Sequence, residues 1–128
     1  MDFCAAEPTP RAKGVVYVRF DSLEQALEVG MNTAYWAERI PDVPALITPD
    51  GQVATFREFN GRANQFARAM FSAGIGSADS IALICPNRPE WAEVYFGSLR
   101  CGLRVTPINV RVQPEEAAYK SPTAMRVS

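Results

Sequence analysis

With 128 residues, 48% of them hydrophobic and 21% charged, the chain has the length and composition of one domain with a core of its own. Its 13 Lys and Arg against 14 Asp and Glu leave a net charge of −1, without the basic surface that nucleic-acid binding demands, and no apolar run approaches the ~20 residues of a membrane-crossing helix. There is no His, which removes the usual general base and the commonest metal ligand, so any catalysis has to rest on carboxylates, Lys or backbone groups.

In chain order, residues 1–13 are rich in Pro and Ala without a period and read as a loose terminus. They lack the basic start and apolar segment of a secretory signal, which implies a cytoplasmic protein. Gly14 to Phe20 reads as a short strand. Asp21 with Glu24 fits an N-cap and its reciprocal acid, opening a short helix with Leu23, Ala26 and Leu27 on one stripe and Gly30 at its end. Asn32 then caps a second helix carrying Tyr35, Trp36 and Ile40, which Pro41 stops.

Ala45 to Thr48 and Val53 to Phe56 are β-type runs around Pro49, Asp50 and Gly51, the composition of a hairpin turn. Thr55 and Glu58 form a Thr-x-x-Glu capping box that launches a helix with Phe59, Ala63, Phe66, Ala67 and Met70 inward and Arg57, Asn60, Arg62, Gln65 and Arg68 toward water. Gly74 closes that helix, and Ile75 beyond it packs back on Met70.

Ser80 to Cys85 is an unbroken apolar strand of the kind buried on both faces in parallel sheets. Asn87 and Glu90 cap a helix from Arg88 to Cys101, Pro89 sits in its first turn, Gly102 ends it, and Leu103 to Ile108 returns as a strand. Strand, helix and strand make a right-handed βαβ unit, so the class is α/β. On the crossover helix Trp91, Ala92, Val94, Tyr95, Phe96 and Leu99 form a wide apolar belt and leave the narrow line Glu93, Gly97, Arg100 for water. Pro114 opens a further helix, with Glu115 and Glu116 in its first turn, that Ser121-Pro122 cuts short.

The segments PDVPALI at 41–47, TFREFNGRANQFARAM at 55–70, SIALICPNRPEWAEVYFGSLRCG at 80–102, TPIN at 106–109 and PEEAAY at 114–119 follow one another in an order that resembles the start of AMP-forming acyl-CoA synthetases, the acyl-adenylate-forming ligases. The resemblance implies a chain in which 1–31 is an N-terminal extension, 32–119 is a partial N-terminal region of the AMP-binding domain, and 120–128 is a divergent tail. It implies a fold truncated after a β-hairpin and the βαβ unit. In that family a carboxylate attacks the α-phosphate of ATP, pyrophosphate leaves, and the thiol of CoA displaces AMP. The Ser/Thr/Gly-rich phosphate loop, the acids for Mg²⁺ and ribose, and the late Lys that this needs lie beyond the matching region. The chain is therefore expected to hold no ATP, Mg²⁺ or CoA of its own, and no residue of it is assigned a catalytic, cofactor or metal role.

Each tempting site has a plainer reading. Gly74, Ile75, Gly76 and Ser77 suit a phosphate cradle in composition, but a cradle must open a helix and these residues close one. Asn87 with Glu90 is a capping pair before it is a pocket, and Asp50 and Asp79 lie in a turn and before a strand, apart from each other. Trp91 and Tyr95 fit core packing better than an acyl pocket. Arg104, Arg111 and Arg126 read as solvated charge. Cys85 and Cys101, in apolar runs without metal-ligand spacing, read as small buried hydrophobes, with Cys4 the odd third, and point to a reducing compartment. Two rival readings stand beside a ligase fragment without activity. One is a short interaction module that self-associates or binds a partner protein through its uncovered sheet edge and apolar helix face; the other is a small-molecule binding domain.

Overall fold

The computed structural model of the chain describes residues 19–111, residue 115 and the backbone of 125–127. Two short helices, α1 (Leu23–Glu28) and α2 (Asn32–Arg39), precede a hairpin of β1 (Pro44–Ile47) and β2 (Val53–Thr55). The long helix α3 (Phe56–Ser72) follows, then β3 (Ser80–Ile84), α4 (Pro89–Arg100), β4 (Arg104–Ile108) and β5 (Met125–Val127). The chain forms an antiparallel two-stranded sheet, β1 with β2, and a parallel three-stranded sheet in the order β4-β3-β5.

The α/β class and the βαβ unit are as the sequence implies. β3 and β4 are parallel neighbours, paired from Ser80 with Arg104 to Ile84 with Ile108. Successive strand residues point to opposite faces, so the burial of Ile81, Ala82 and Leu83 in a row means that both faces of β3 are covered. The core gathers Ile81, Leu103, Cys101 and Ala67, with Phe66, Met70, Ile75, Val94 and Val105 packed around them.

The two ends of α3 follow directly from sequence chemistry. Thr55 Oγ1 accepts from the Glu58 N–H while the Glu58 carboxylate accepts from the Thr55 N–H at 2.8 Å, a complete capping box. At the other end Gly74 takes φ +73°, its N–H reaches the Phe71 carbonyl, and the Ile75 N–H reaches the Met70 carbonyl, the double bond of a Schellman ending. Phe59, Ala63 and Ala67 are buried on the inward face, as their spacing predicts.

Several sequence readings are corrected. The cap of α1 is Ser22 rather than Asp21: Ser22 Oγ accepts from the Gln25 N–H, and the Gln25 side chain accepts from Asp21. Both neighbours are good cap formers, and the Ser-x-x-Gln register wins. Leu27, placed on the apolar stripe, is exposed, and only Ala26 of that helix is buried. Asn32 is the first residue of α2 and not its cap, because Met31 is already tied to α1 through its N–H on the Ala26 carbonyl. The cap of α4 is Arg88, without a side-chain bond, so the Asn87 and Glu90 pair does not form; Glu90 accepts from Arg88 instead.

The largest correction concerns the faces of α4. Gly97 and Arg100, assigned to water, are buried, and Glu93 is only 13% exposed, whereas the belt from Trp91 to Leu99 is only partly covered. The helix has turned its small and polar line toward α3, which leaves the bulky side chains to flank the contact. The expected strand at 14–20 lies mostly outside the described residues, and Arg19 and Phe20 are not in a strand. The helix expected from Pro114 also falls there, apart from the helical Glu115. The segment read as a divergent tail supplies β5, which occupies the edge of β3 that the truncated βαβ unit would leave uncovered.

Candidate functional site

Three regions gather polar or aromatic side chains that a sequence search would single out. The first is the glycine turn after α3. The Gly76 N–H donates to the Asp79 carboxylate at 2.9 Å, and Gly74 serves the helix ending, so the N–H groups that a phosphate cradle needs are committed within the turn. Asp79 is thereby a turn residue. Asp50 is likewise bound in the hairpin loop, accepting from the Thr48 hydroxyl and from the Gln52 amide at 3.1 Å; the Thr48 bond is the main cause that holds its carboxyl below the ordinary range. The two acids belong to separate turns, as the sequence implies.

The second region is the contact of α2, α3 and α4. Arg100 is 2% exposed, and its guanidinium donates to Asn60 Oδ1 at 2.7 Å, to the Asn60 carbonyl at 3.4 Å and to Thr33 Oγ1. Thr33, itself buried, also donates to Asn60 Oδ1. Asn60, expected on the wet face of α3, therefore faces inward. One turn of α4 earlier, Gly97 lets the helices meet: a Cβ there would lie 2.7 Å from the Ala63 carbonyl oxygen and 2.9 Å from Phe66 Cδ1. Further along the same line, Glu93 accepts from Arg62 at 2.9 Å, and this bond is the main cause that raises the Arg62 guanidinium above its ordinary value. These side chains hold the helices to one another. The signal that marks this line in the sequence is a glycine at 97 inside an otherwise bulky helix, spaced 4 and 3 residues from Glu93 and Arg100.

The third region is an open slot of ≈ 240 Å³ between the hairpin and the start of α4, walled by Leu46, Ile47, Pro49, Pro89, Trp91 and Ala92. Trp91 stacks on Tyr95 at 5.1 Å with planes 10° apart, and Tyr95 meets Phe96 edge-on, which meets Phe59 in the same way. This aromatic chain runs from the slot into the α3–α4 contact; Trp91 and Tyr95 are partly buried, and Trp91 also walls the slot. Arg88 at the rim pairs with Glu90 at 3.1 Å.

The remaining candidates do not converge. Arg104 donates to the Ala78 carbonyl at 2.7 Å, Arg111 lies in the turn after β4, and Arg126 is placed only as backbone in β5. Cys85 is a free, partly buried thiol. Cys101 is buried in the core, as its apolar surroundings predict, with its Sγ 3.6 Å from the Ala67 carbonyl oxygen. Among the described residues no group of three or more His, Cys, Asp or Glu side chains is arranged to hold a metal ion, and no helix is long and apolar enough to cross a membrane.

Residues 33–121 match the family model described as AMP-binding enzyme. The sulfoacetate–CoA ligase of Cupriavidus necator is 35% identical over 101 residues, covering 78% of this chain and 19% of the relative. The long-chain-fatty-acid–CoA ligase FadD13 of Mycobacterium tuberculosis is 30% identical over 80 residues, covering 62% of this chain and 16% of that protein. Among solved structures, the N-terminal domain of FACL13 from Mycobacterium tuberculosis superposes with a TM-score of 0.69 at 26% identity over 73% of this chain and 24% of the domain. The N-terminal subdomain of NpsA from Klebsiella oxytoca shares the fold, with a TM-score of 0.70 at 20% identity over 78% of this chain and 27% of that one. The chain spans about a fifth of the length of the ligases it matches.

Proposed function

The chain belongs to the AMP-binding enzyme family as a partial N-terminal segment of an adenylate-forming ligase, and on that premise we propose that it derives from an ATP-dependent acyl-CoA synthetase and catalyses no ligation by itself. One observation carries the second half of the reading: among the described residues, several donors that could serve an anion already have partners within the chain. The Gly76 N–H is held by Asp79, and the Glu58 N–H at the start of α3 by Thr55. Arg57, Arg62 and Arg88 are paired with Asp42, Glu93 and Glu90. Catalysis of phosphoryl chemistry rests on positioned charge and oriented donors, and such groups must be free to turn toward the substrate.

ATP, Mg²⁺ and CoA belong, on this reading, to the longer ligase and not to this segment. The acid it would activate is set elsewhere too, since the matched ligases act on acids as different as sulfoacetate and long-chain fatty acids. Fatty-acid metabolism is the setting that the long-chain relatives support, and a cytoplasmic site is part of the same reading. The test is pyrophosphate release by the purified chain with ATP, Mg²⁺, CoA and a panel of fatty, aromatic and sulfonated acids. The expected result is release no faster than without protein; acid-dependent release proportional to protein concentration would overturn the proposal.

A further inference from the structure

Outside this lineage, the junction of α2, α3 and α4 encloses a reactive dipeptide. Asn60 is the one asparagine in the sequence that precedes a glycine, and Gly61 has no side chain to hinder its backbone nitrogen. We propose that Asn60–Gly61 is a self-modification site, converted to aspartate and isoaspartate with loss of ammonia, which the junction keeps closed in the folded chain and unfolding opens. In the conversion, hydroxide takes the Gly61 N–H proton and the nitrogen attacks Asn60 Cγ. The bond from Cγ to the side-chain nitrogen breaks, ammonia leaves with a proton from water, and a cyclic imide remains. Water then opens the imide at either carbonyl, which gives aspartate or isoaspartate.

The fold blocks the first step at both reacting groups. Inside α3 the Gly61 N–H is committed to the carbonyl four residues back, and ring closure needs the Asn60 backbone to leave the helical ψ of about −42°. The side-chain carbonyl is held as well. Asn60 Oδ1 accepts from the Arg100 guanidinium at 2.7 Å and from the Thr33 hydroxyl at 3.5 Å, and both donors are buried. Attack on Cγ therefore waits until α3 opens locally and parts from α2 and α4. The products are in this way a covalent record that the junction has come apart.

The experiment incubates the full chain in mildly alkaline buffer, folded and unfolded in guanidinium chloride, and follows conversion at each asparagine by peptide mass spectrometry. Expected in the unfolded chain is conversion at Asn60 ahead of Asn32, Asn64, Asn87 and Asn109. In the folded chain, conversion at Asn60 is expected to be at least about tenfold slower than in the unfolded one. Gly61→Ala, whose new Cβ has nothing within 4 Å in the fold, should bring the unfolded rate at Asn60 down to that of the other asparagines. Arg100→Met, verified as folded by circular dichroism, should convert at Asn60 at least about fivefold faster than the unaltered folded chain, and Thr33→Val replaces it if it does not fold. Equal rates in the folded and unfolded chain, another asparagine converting first on unfolding, a Gly61→Ala chain that converts as fast as the unaltered one, or a folded junction variant no faster than the unaltered folded chain, each overturns the proposal.

Discussion

The guanidinium of Arg100 ties three helices together through one side-chain group from each neighbour, Thr33 of α2 and Asn60 of α3. Removing it takes the donor from the buried Thr33 hydroxyl, leaves Asn60 Oδ1 with only the 3.5 Å bond from Thr33, and opens a cavity, so Arg100→Ala is expected to lower stability by about 3 kcal/mol. Arg100→Met restores most of the volume without the donors and should recover only part of that loss; urea unfolding of the three proteins measures both. Glu58 supplies a pH-dependent contribution. The Thr55 backbone N–H, followed by its hydroxyl, holds the Glu58 carboxyl below its ordinary value of 4.5. A carboxyl depressed in the folded state contributes stability that is present above the unfolded value and is lost as pH falls through the folded one. Glu58→Gln should therefore unfold at lower urea than the unaltered chain at about pH 7, with the gap closing as the pH falls below the ordinary carboxylate range. A gap that stays constant across that range would show that the carboxylate charge is not what the cap uses.

Among the elements, α3 was readable almost to the residue because its signals are local: a Thr and Glu three apart begin it, and a Gly followed by an apolar residue ends it. The caps of α1, α2 and α4 each lie one residue from where the pattern puts them. In each case adjacent residues compete for the cap, and the choice depends on contacts such as Met31 with Ala26 that one segment does not encode. The orientation of α4 was misread for a physical reason. Hydropathy ranks Glu93, Gly97 and Arg100 as solvent residues, but a glycine allows closer helix contact than any apolar side chain, and an Arg supplied with acceptors from two helices can be buried. β5 was missed because strand pairing across some forty residues leaves no local trace. The close crossing makes a paired prediction. Gly97→Ala should cost about 2 kcal/mol by forcing α3 and α4 apart, whereas Gly61→Ala, inside α3 with nothing within 4 Å of the new Cβ, should add about 0.5–1 kcal/mol through helix propensity. Thermal unfolding of the two variants checks the signs, and a stabilising Gly97→Ala would mean that the helices do not meet as described.

At the scale of the whole molecule, the sequence offers an expectation about the nucleotide site and not a site: the resemblance places the family's phosphate loop, acids and late Lys beyond the matching region. The glycine turn, Asp50, Asp79 and Arg104 have structural partners of their own. The hairpin face was less legible, because the sequence shows apolar residues on both strands but not which of them the rest of the chain leaves open. Ile47 at 69% and Ala54 at 6% exposure lie on the same small sheet. The central claim is that this segment carries the lineage of the adenylate-forming ligases without their nucleotide site. A panel of acids can omit the right one, but ATP is common to the proposed chemistry, which makes direct nucleotide binding the sharper probe. Titration of Mg²⁺-ATP into the folded chain, read by calorimetry, is predicted to give no saturable heat up to about 1 mM nucleotide, near the weak end of ordinary enzyme affinities. Saturable binding of one nucleotide per chain in the micromolar range, competed by AMP, would contradict the account.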